Sequence, residues 1–190
     1  MIRVAALLFF LSFNFGVRAE HVGDVEESLM ALEADCDYRI HGALASLIRA
    51  ARIKHSSAAS VLQFDVEIPS KRRKISARLE FGCPMKPSNG EATATTAKDQ
   101  IKLEDAGGRY ARIIEWQKSF YAENFLGTIA YVKSNFGDSA ISPIPAYFLV
   151  CPNEANHPCF SLEINNRKHL ERTDIISIIN SLRNISILHP

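Results

Sequence analysis

The sequence predicts an α+β fold in which a long N-terminal amphipathic helix packs on a mainly antiparallel sheet of about seven strands, with a short helix closing the chain. Three observations lead there. Apolar residues recur at three- and four-residue steps near both ends of the chain, and strict two-residue alternation marks two successive segments between them. The strand-like segments also follow one another without helices in between, which favours antiparallel pairing.

The first element is a leader. Met1-Ile2-Arg3 is followed by an apolar run from Val4 to Phe15, interrupted by Ser12 and Asn14, and then by Gly16-Val17-Arg18-Ala19. A cationic start, an apolar run of about a dozen residues and small or aliphatic residues at Val17 and Ala19 predict a secretory signal over 1–19, cut before Glu20. A membrane anchor would need roughly 20 apolar residues, more than this run supplies. No cysteine follows the cut, so a lipid-anchored form is not expected. The chain of 190 residues has 22 Lys+Arg and 21 Asp+Glu, with 47% hydrophobic and 23% charged residues. That balance excludes collagen-like, low-complexity and wholly disordered chains, and it argues against a generally basic nucleic-acid binder. Losing Arg3 and Arg18 with the leader changes the net charge from +1 to −1. Residues 20–190 then suffice for a single α+β domain with a sizeable core and no transmembrane segment.

Residues 24–54 read as one long helix. Val25, Leu29, Leu32, Cys36, Ile40, Ala43, Leu47 and Ala51 form a single stripe. Asp24 with Glu27 makes an N-terminal cap, and Gly42 is a weak point in the middle. Two strands follow. Leu62, Phe64, Val66 and Ile68 alternate with Gln63, Asp65 and Glu67, and Ile75, Ala77, Leu79 and Phe81 alternate with Ser76, Arg78 and Glu80. Each has one wet face and one core face, and Pro69–Lys74 joins them as a hairpin tip. Residues 84–98 lack any apolar period and are expected to be a mobile loop. Ile101–Glu104 and Tyr110–Trp116 flank Gly107-Gly108 like a second hairpin, although 109–121 also fits a helix. Gly127–Lys133, Ala146–Val150 and Phe160–Ile164 supply three more strands by β-branched and aromatic content. A last helix begins at Thr173 or Asp174 and presents Ile175, Ile178, Ile179, Leu182 and Ile185.

Four cysteines in an oxidising compartment imply two disulfides out of three possible pairings. Cys151 and Cys159 bracket a turn-rich connection between two strands. Cys83 continues the core-facing set of its strand, and Cys36 lies on the buried stripe of the preceding helix. The expected pairs are therefore Cys36–Cys83 and Cys151–Cys159. A zinc site of Cys83, Cys151, His157 and Cys159 lacks a Cys-x-x-Cys knuckle, so no metal and no cofactor is expected.

Chemistry is harder to find. No hydrolase elbow, phosphate-binding glycine loop, paired-histidine zinc motif or dinucleotide fingerprint occurs. Lys71, Arg72, Arg73 and Lys74 are candidate contacts for an anionic partner, against the plainer reading of a solvated tip that discourages edge pairing. Tyr110, Trp116, Phe120, Tyr121 and Phe125 line a pocket or interface, or else fill the core. Asn184-Ile185-Ser186 is the only glycosylation acceptor pattern. The expectation is an exported, periplasmic or secreted, disulfide-stabilised binding protein without catalytic activity, its partner another protein or an envelope component. The rivals are a secreted or envelope enzyme of unfamiliar type and a structural part of an envelope assembly.

Overall fold

A computed structural model of the chain describes residues 21–55, 59–84, 96–104, 110–136, 145–154, 157–165 and 169–188. The leader with its cleavage point lies outside the described residues, and so does most of the expected 84–98 loop. The elements are β1 (His21–Gly23), α1 (Val25–Cys36), β2 (Tyr38–Ile40), α2 (Gly42–Ser46), β3 (Ile48–His55), β4 (Ala59–Pro69) and β5 (Lys74–Pro84). They continue with α3 (Ala97–Glu104), β6 (Tyr110–Tyr121), β7 (Leu126–Phe136), β8 (Tyr147–Pro152), β9 (Phe160–Ile164), α4 (Arg172–Leu182) and β10 (Ile185–Ile187). Among the described residues eight strands form one sheet in the order β1-β3-β4-β5-β9-β8-β7-β6, and β10 pairs with β2 in a second, two-stranded sheet. Every neighbouring pair is antiparallel. The α+β class and the antiparallel sheet agree with the sequence.

The long helix does not form. Asp24 caps α1 as expected, accepting from the Glu26 N–H at 3.2 Å. The helix then stops at Cys36, because Asp37 takes a left-handed conformation with φ 58°. Tyr38 and Ile40 point into the core with Arg39 outward. Gly42 turns the chain again at φ +55°, where a Cβ would stand 2.6 Å from Asn184 Oδ1. Ile48–His55 then pairs along β4. The apolar spacing of 38–54 suits strands as well as a helix, and pairing beside β4 covers an edge that a single helix would leave open.

Ile101–Glu104 belongs to α3 instead of a strand, where Ile101 packs with Ala97 against Ala130, Val132 and Leu149. Tyr110–Tyr121, which fits both periods, is a strand along its whole length because it pairs with β7, with a bulge between Ile114 and Trp116. Ile185 leaves the last helix for β10, and Glu171 is that helix's cap, with Asp174 inside its first turn.

The sheet's two faces differ. On the inner face Ile53, Leu62, Phe81, Phe160, Val150 and Ile129 form one continuous cross-strand row, and Ala51, Phe64, Leu79, Leu162, Phe148 and Tyr131 form the next. Helix α1 packs on β3, β4 and β5, and α4 packs on β4, which buries this main core. On the outer face α3 lies against β6, β7 and β8. Gly127 lets β7 approach β8, since a Cβ there would collide with the Cys151 carbonyl.

Candidate functional site

The cysteines join as Cys36–Cys83 and Cys151–Cys159, and none is free. The first bridge ties the end of α1 to the end of β5 with Cα atoms 5.0 Å apart, and both of its cysteines are buried. The second closes the β8–β9 connection. With all four sulfurs in disulfides, neither a thiolate nucleophile nor a cysteine-bound zinc has a ligand to use. Among the described residues no group of three or more His, Cys, Asp or Glu side chains is placed to hold a metal ion.

The β8–β9 connection is pinned from beneath. The Tyr38 hydroxyl donates to the Pro158 carbonyl at 2.7 Å, and its ring meets Phe160 and His157 edge-on at 5.4 and 5.8 Å. Burial, aided by the Glu154 charge, pushes the Tyr38 hydroxyl well above its ordinary pKa, so it remains a proton donor. His157 is packed into this aromatic cluster as a buried residue. The arrangement fastens a loop to the core.

The basic hairpin tip is largely engaged within the molecule. Arg73 turns inward to Asp174, donating from Nε at 3.1 Å and also from Nη2, which reaches the His169 carbonyl at 2.9 Å. Ser70 Oγ donates to Asp174 Oδ1 at 2.5 Å, and the Glu171 N–H donates to Oδ2 at 3.0 Å. Asp174 is only 2% exposed. Burial opposes its ionisation, but the bonds from Arg73, Ser70 and the Glu171 N–H outweigh that, and the carboxyl is held below the usual range. Lys74 lies 3.3 Å from Glu67 and Arg72 lies 3.7 Å from Glu171, while Lys71 is exposed. Of the four candidate anion contacts, this geometry makes Arg73 a clamp between the hairpin and α4. Asn184 is likewise occupied. Its Nδ2 donates to the carbonyls of Asn180 and Ser181 at 3.1 and 3.2 Å, and its own carbonyl accepts from the His41 N–H at 3.0 Å.

The outer face changes chemistry along its rows. Gln63, Glu80 and Ser161 continue into Leu149 and Ala130, and Asp65, Arg78 and Glu163 continue into Tyr147 and Val132. The polar half satisfies itself: Asp65 holds Arg52 at 2.7 Å and Arg78 at 3.2 Å, and Gln63 donates to Glu80 at 2.6 Å. The apolar half is where α3 packs.

The β6–β7 hairpin differs from all of these. Ile113 is 45% exposed, Tyr121 59% and Leu126 54%, and the last two face each other directly across the hairpin. On the inner face Trp116 stacks on Tyr131 with centroids 6.1 Å apart, and the Lys118 ammonium lies 4.6 Å above the Trp116 ring. The tip is anchored firmly. Asn124 Nδ2 donates to the Ile187 carbonyl at 2.6 Å and its Oδ1 accepts from the Ile187 N–H at 3.0 Å, while Phe125 is buried against Phe120. Of the aromatic series singled out by sequence, Phe120 and Phe125 therefore fill the core, Trp116 is half-buried and Tyr121 faces solvent. Sequence reasoning missed the roles of Tyr38, Asp174 and Leu126. For Asp174 the signal was its position three residues after Glu171, and for Leu126 nothing local distinguished an exposed strand end from a core position.

Among the described residues no helix is long and apolar enough to cross a membrane. No protein family, curated protein or solved structure is significantly similar to this chain.

Proposed function

We propose that the protein is an exported, disulfide-stabilised binding protein without catalytic activity, whose partner is another protein or an envelope component. The β6–β7 hairpin carries this reading: Tyr121 and Leu126, directly opposite each other, leave an adjacent apolar pair in water on a hairpin that is itself well anchored. Interfaces are enriched in such aromatic anchors, and apolar surface left exposed in this way marks contact sites. The two disulfides support the exported part, since such bonds persist in oxidising compartments.

The test uses the full chain in its native host, with a photo-crosslinking side chain placed at Tyr121, at Lys71 or at Met30, which is 61% exposed on α1. Intact mass should show a chain beginning at Glu20 whose denatured but unreduced form takes up no alkylating reagent. One discrete protein adduct should form. A retained leader with four alkylatable thiols, or no adduct from any of the three positions, would overturn the reading.

A further inference from the structure

Among the described residues the outer edge of β6 is a free strand edge, and its second half has the regularity that strand pairing needs. Strand β6 is the last strand of the eight, so one side of it has no neighbour among the described residues. The bulge at 115 interrupts its first half, but Trp116–Tyr121 pairs with Tyr131–Leu126 without a break. The Ala122 N–H bonds to the Phe125 carbonyl at 3.1 Å. In the alternating antiparallel pattern, Phe120, Lys118 and Trp116 therefore turn their backbone groups toward β7, and Tyr121, Ser119 and Gln117 turn theirs outward. No described residue pairs with those outward N–H and C=O groups.

The side chains beside this edge select a ligand chemistry. Lys118 lies on the inner face and has no carboxylate within ion-pair distance among the described residues. Of the carboxylates beside it along the hairpin, Glu115 is paired with Lys133, and Glu123 lies 3.0 Å from His41 Nε2. On the outer face Tyr121 and Leu126 expose an adjacent apolar pair. A second copy of this chain is a poor occupant. Antiparallel self-pairing centred anywhere on Gln117–Ser119 brings Lys118 opposite or diagonal to its own copy, and like charges in those positions repel.

We propose that the edge from Gln117 to Tyr121 is a strand-addition site for an extended segment of another protein, one that presents carboxylates to Lys118 on one face and apolar side chains to Tyr121 and Leu126 on the other. Main-chain bonds to Gln117, Ser119 and Tyr121 supply affinity, and the two faces supply selectivity. The proposal rests on the binding role above and gives it a mode.

Trp116 is the only tryptophan of the chain and sits at the start of this edge, so intrinsic fluorescence reports on it directly. The probe is an end-blocked octapeptide of alternating valine and glutamate, whose two faces match the site. Titrated into the oxidised protein, it should shift Trp116 emission saturably, whereas the valine–lysine peptide and a glutamate peptide N-methylated along its bonding edge should not. Lys118→Glu should reverse the preference between the two charged peptides. The pair Tyr121→Ser and Leu126→Ser should weaken binding by at least about fivefold. No saturable shift up to millimolar peptide, or binding indifferent to N-methylation and to Lys118→Glu, overturns the site. Slow amide exchange at Gln117, Ser119 and Tyr121 in the free monomer would show the edge already covered by the chain and also overturn it. A concentration-dependent dimer that shifts Trp116 emission without peptide would assign the edge to a second copy instead. A crosslinked partner at Lys71 or Met30 together with failure of the peptide would remove the edge site and leave the binding role standing.

Discussion

The two ends of the sheet are built on opposite plans. At the β3–β5 end the inner face lies under α1 and α4, a disulfide fastens α1 to β5, and the hairpin tip is bolted to α4 through the buried Asp174. At the β6–β7 end the same inner rows run out at Lys118 and Trp116, and among the described residues the outermost strand has one side open. The inner row that is Leu62, Phe81 and Phe160 at one end is a solvent-facing lysine at the other. The difference separates two tasks. The Cys36–Cys83 bridge and the buried Asp174 pair hold the fold at the end of the sheet away from the hairpin that presents apolar surface, so occupying that hairpin need not disturb them.

Removing the clamp should have the largest effect. Replacing both Cys36 and Cys83 by alanine opens a loop spanning 47 positions. The loop-entropy relation puts the loss at about 4 kcal/mol, read as the change in urea-unfolding free energy. Asp174→Ala comes next, because it strands Arg73 and removes the acceptor of Ser70 and the Glu171 N–H. Breaking a buried ion pair from one side predicts a loss of about 3 kcal/mol or more. Its pH dependence has a definite sign. The Asp174 carboxyl is held below its ordinary range, so its contribution is complete above the unfolded value of about 3.9 and fades as pH falls through the folded one. Unfolding curves of the parent and of Asp174→Asn should therefore converge in acid and separate toward neutrality.

The second disulfide sharpens the contrast. Cys151–Cys159 closes a separation of only 8, and the same relation predicts about 2.5 kcal/mol for its double alanine replacement. A larger loss there than at Cys36–Cys83 would mean that the β8–β9 end, not the α1 clamp, dominates stability. The smallest effect belongs to the open end. Tyr121→Ser and Leu126→Ser should each change unfolding free energy by no more than about 0.5 kcal/mol, as surface replacements do. A loss of several times that figure would make the hairpin part of the core and remove the distinction between the two ends.

Much of the clamped end was legible in the sequence. The alternation in Leu62–Ile68 and Ile75–Cys83 set out β4 and β5, and parity alone put Cys83 on the core face. Phe160–Ile164 appears as a strand at the expected bounds. The stretch after Cys36 reads as helix because Ile40, Ala43, Leu47 and Ala51 recur at helical steps, yet only Ile40 and Ala51 of these are buried, and Leu44 and Ile48 take the core positions in place of Ala43 and Leu47. Local pattern cannot decide between the two sets, since the deciding term is the ladder β3 makes with β4, a partner that lies later in the chain. The left-handed Asp37 and the positive φ of Gly42 were the local marks of the break.

The sequence by itself determined the α+β class, the first hairpin and which cysteines face the core, because each depends on a period or a parity read within a few residues. Tertiary structure alone decided that the basic tip closes on Asp174, that Tyr38 bolts the β8–β9 connection, and that β6 is the last strand of the sheet among the described residues. Those depend on which distant segments come to lie side by side, and strand order decides which edge keeps its hydrogen-bonding groups free.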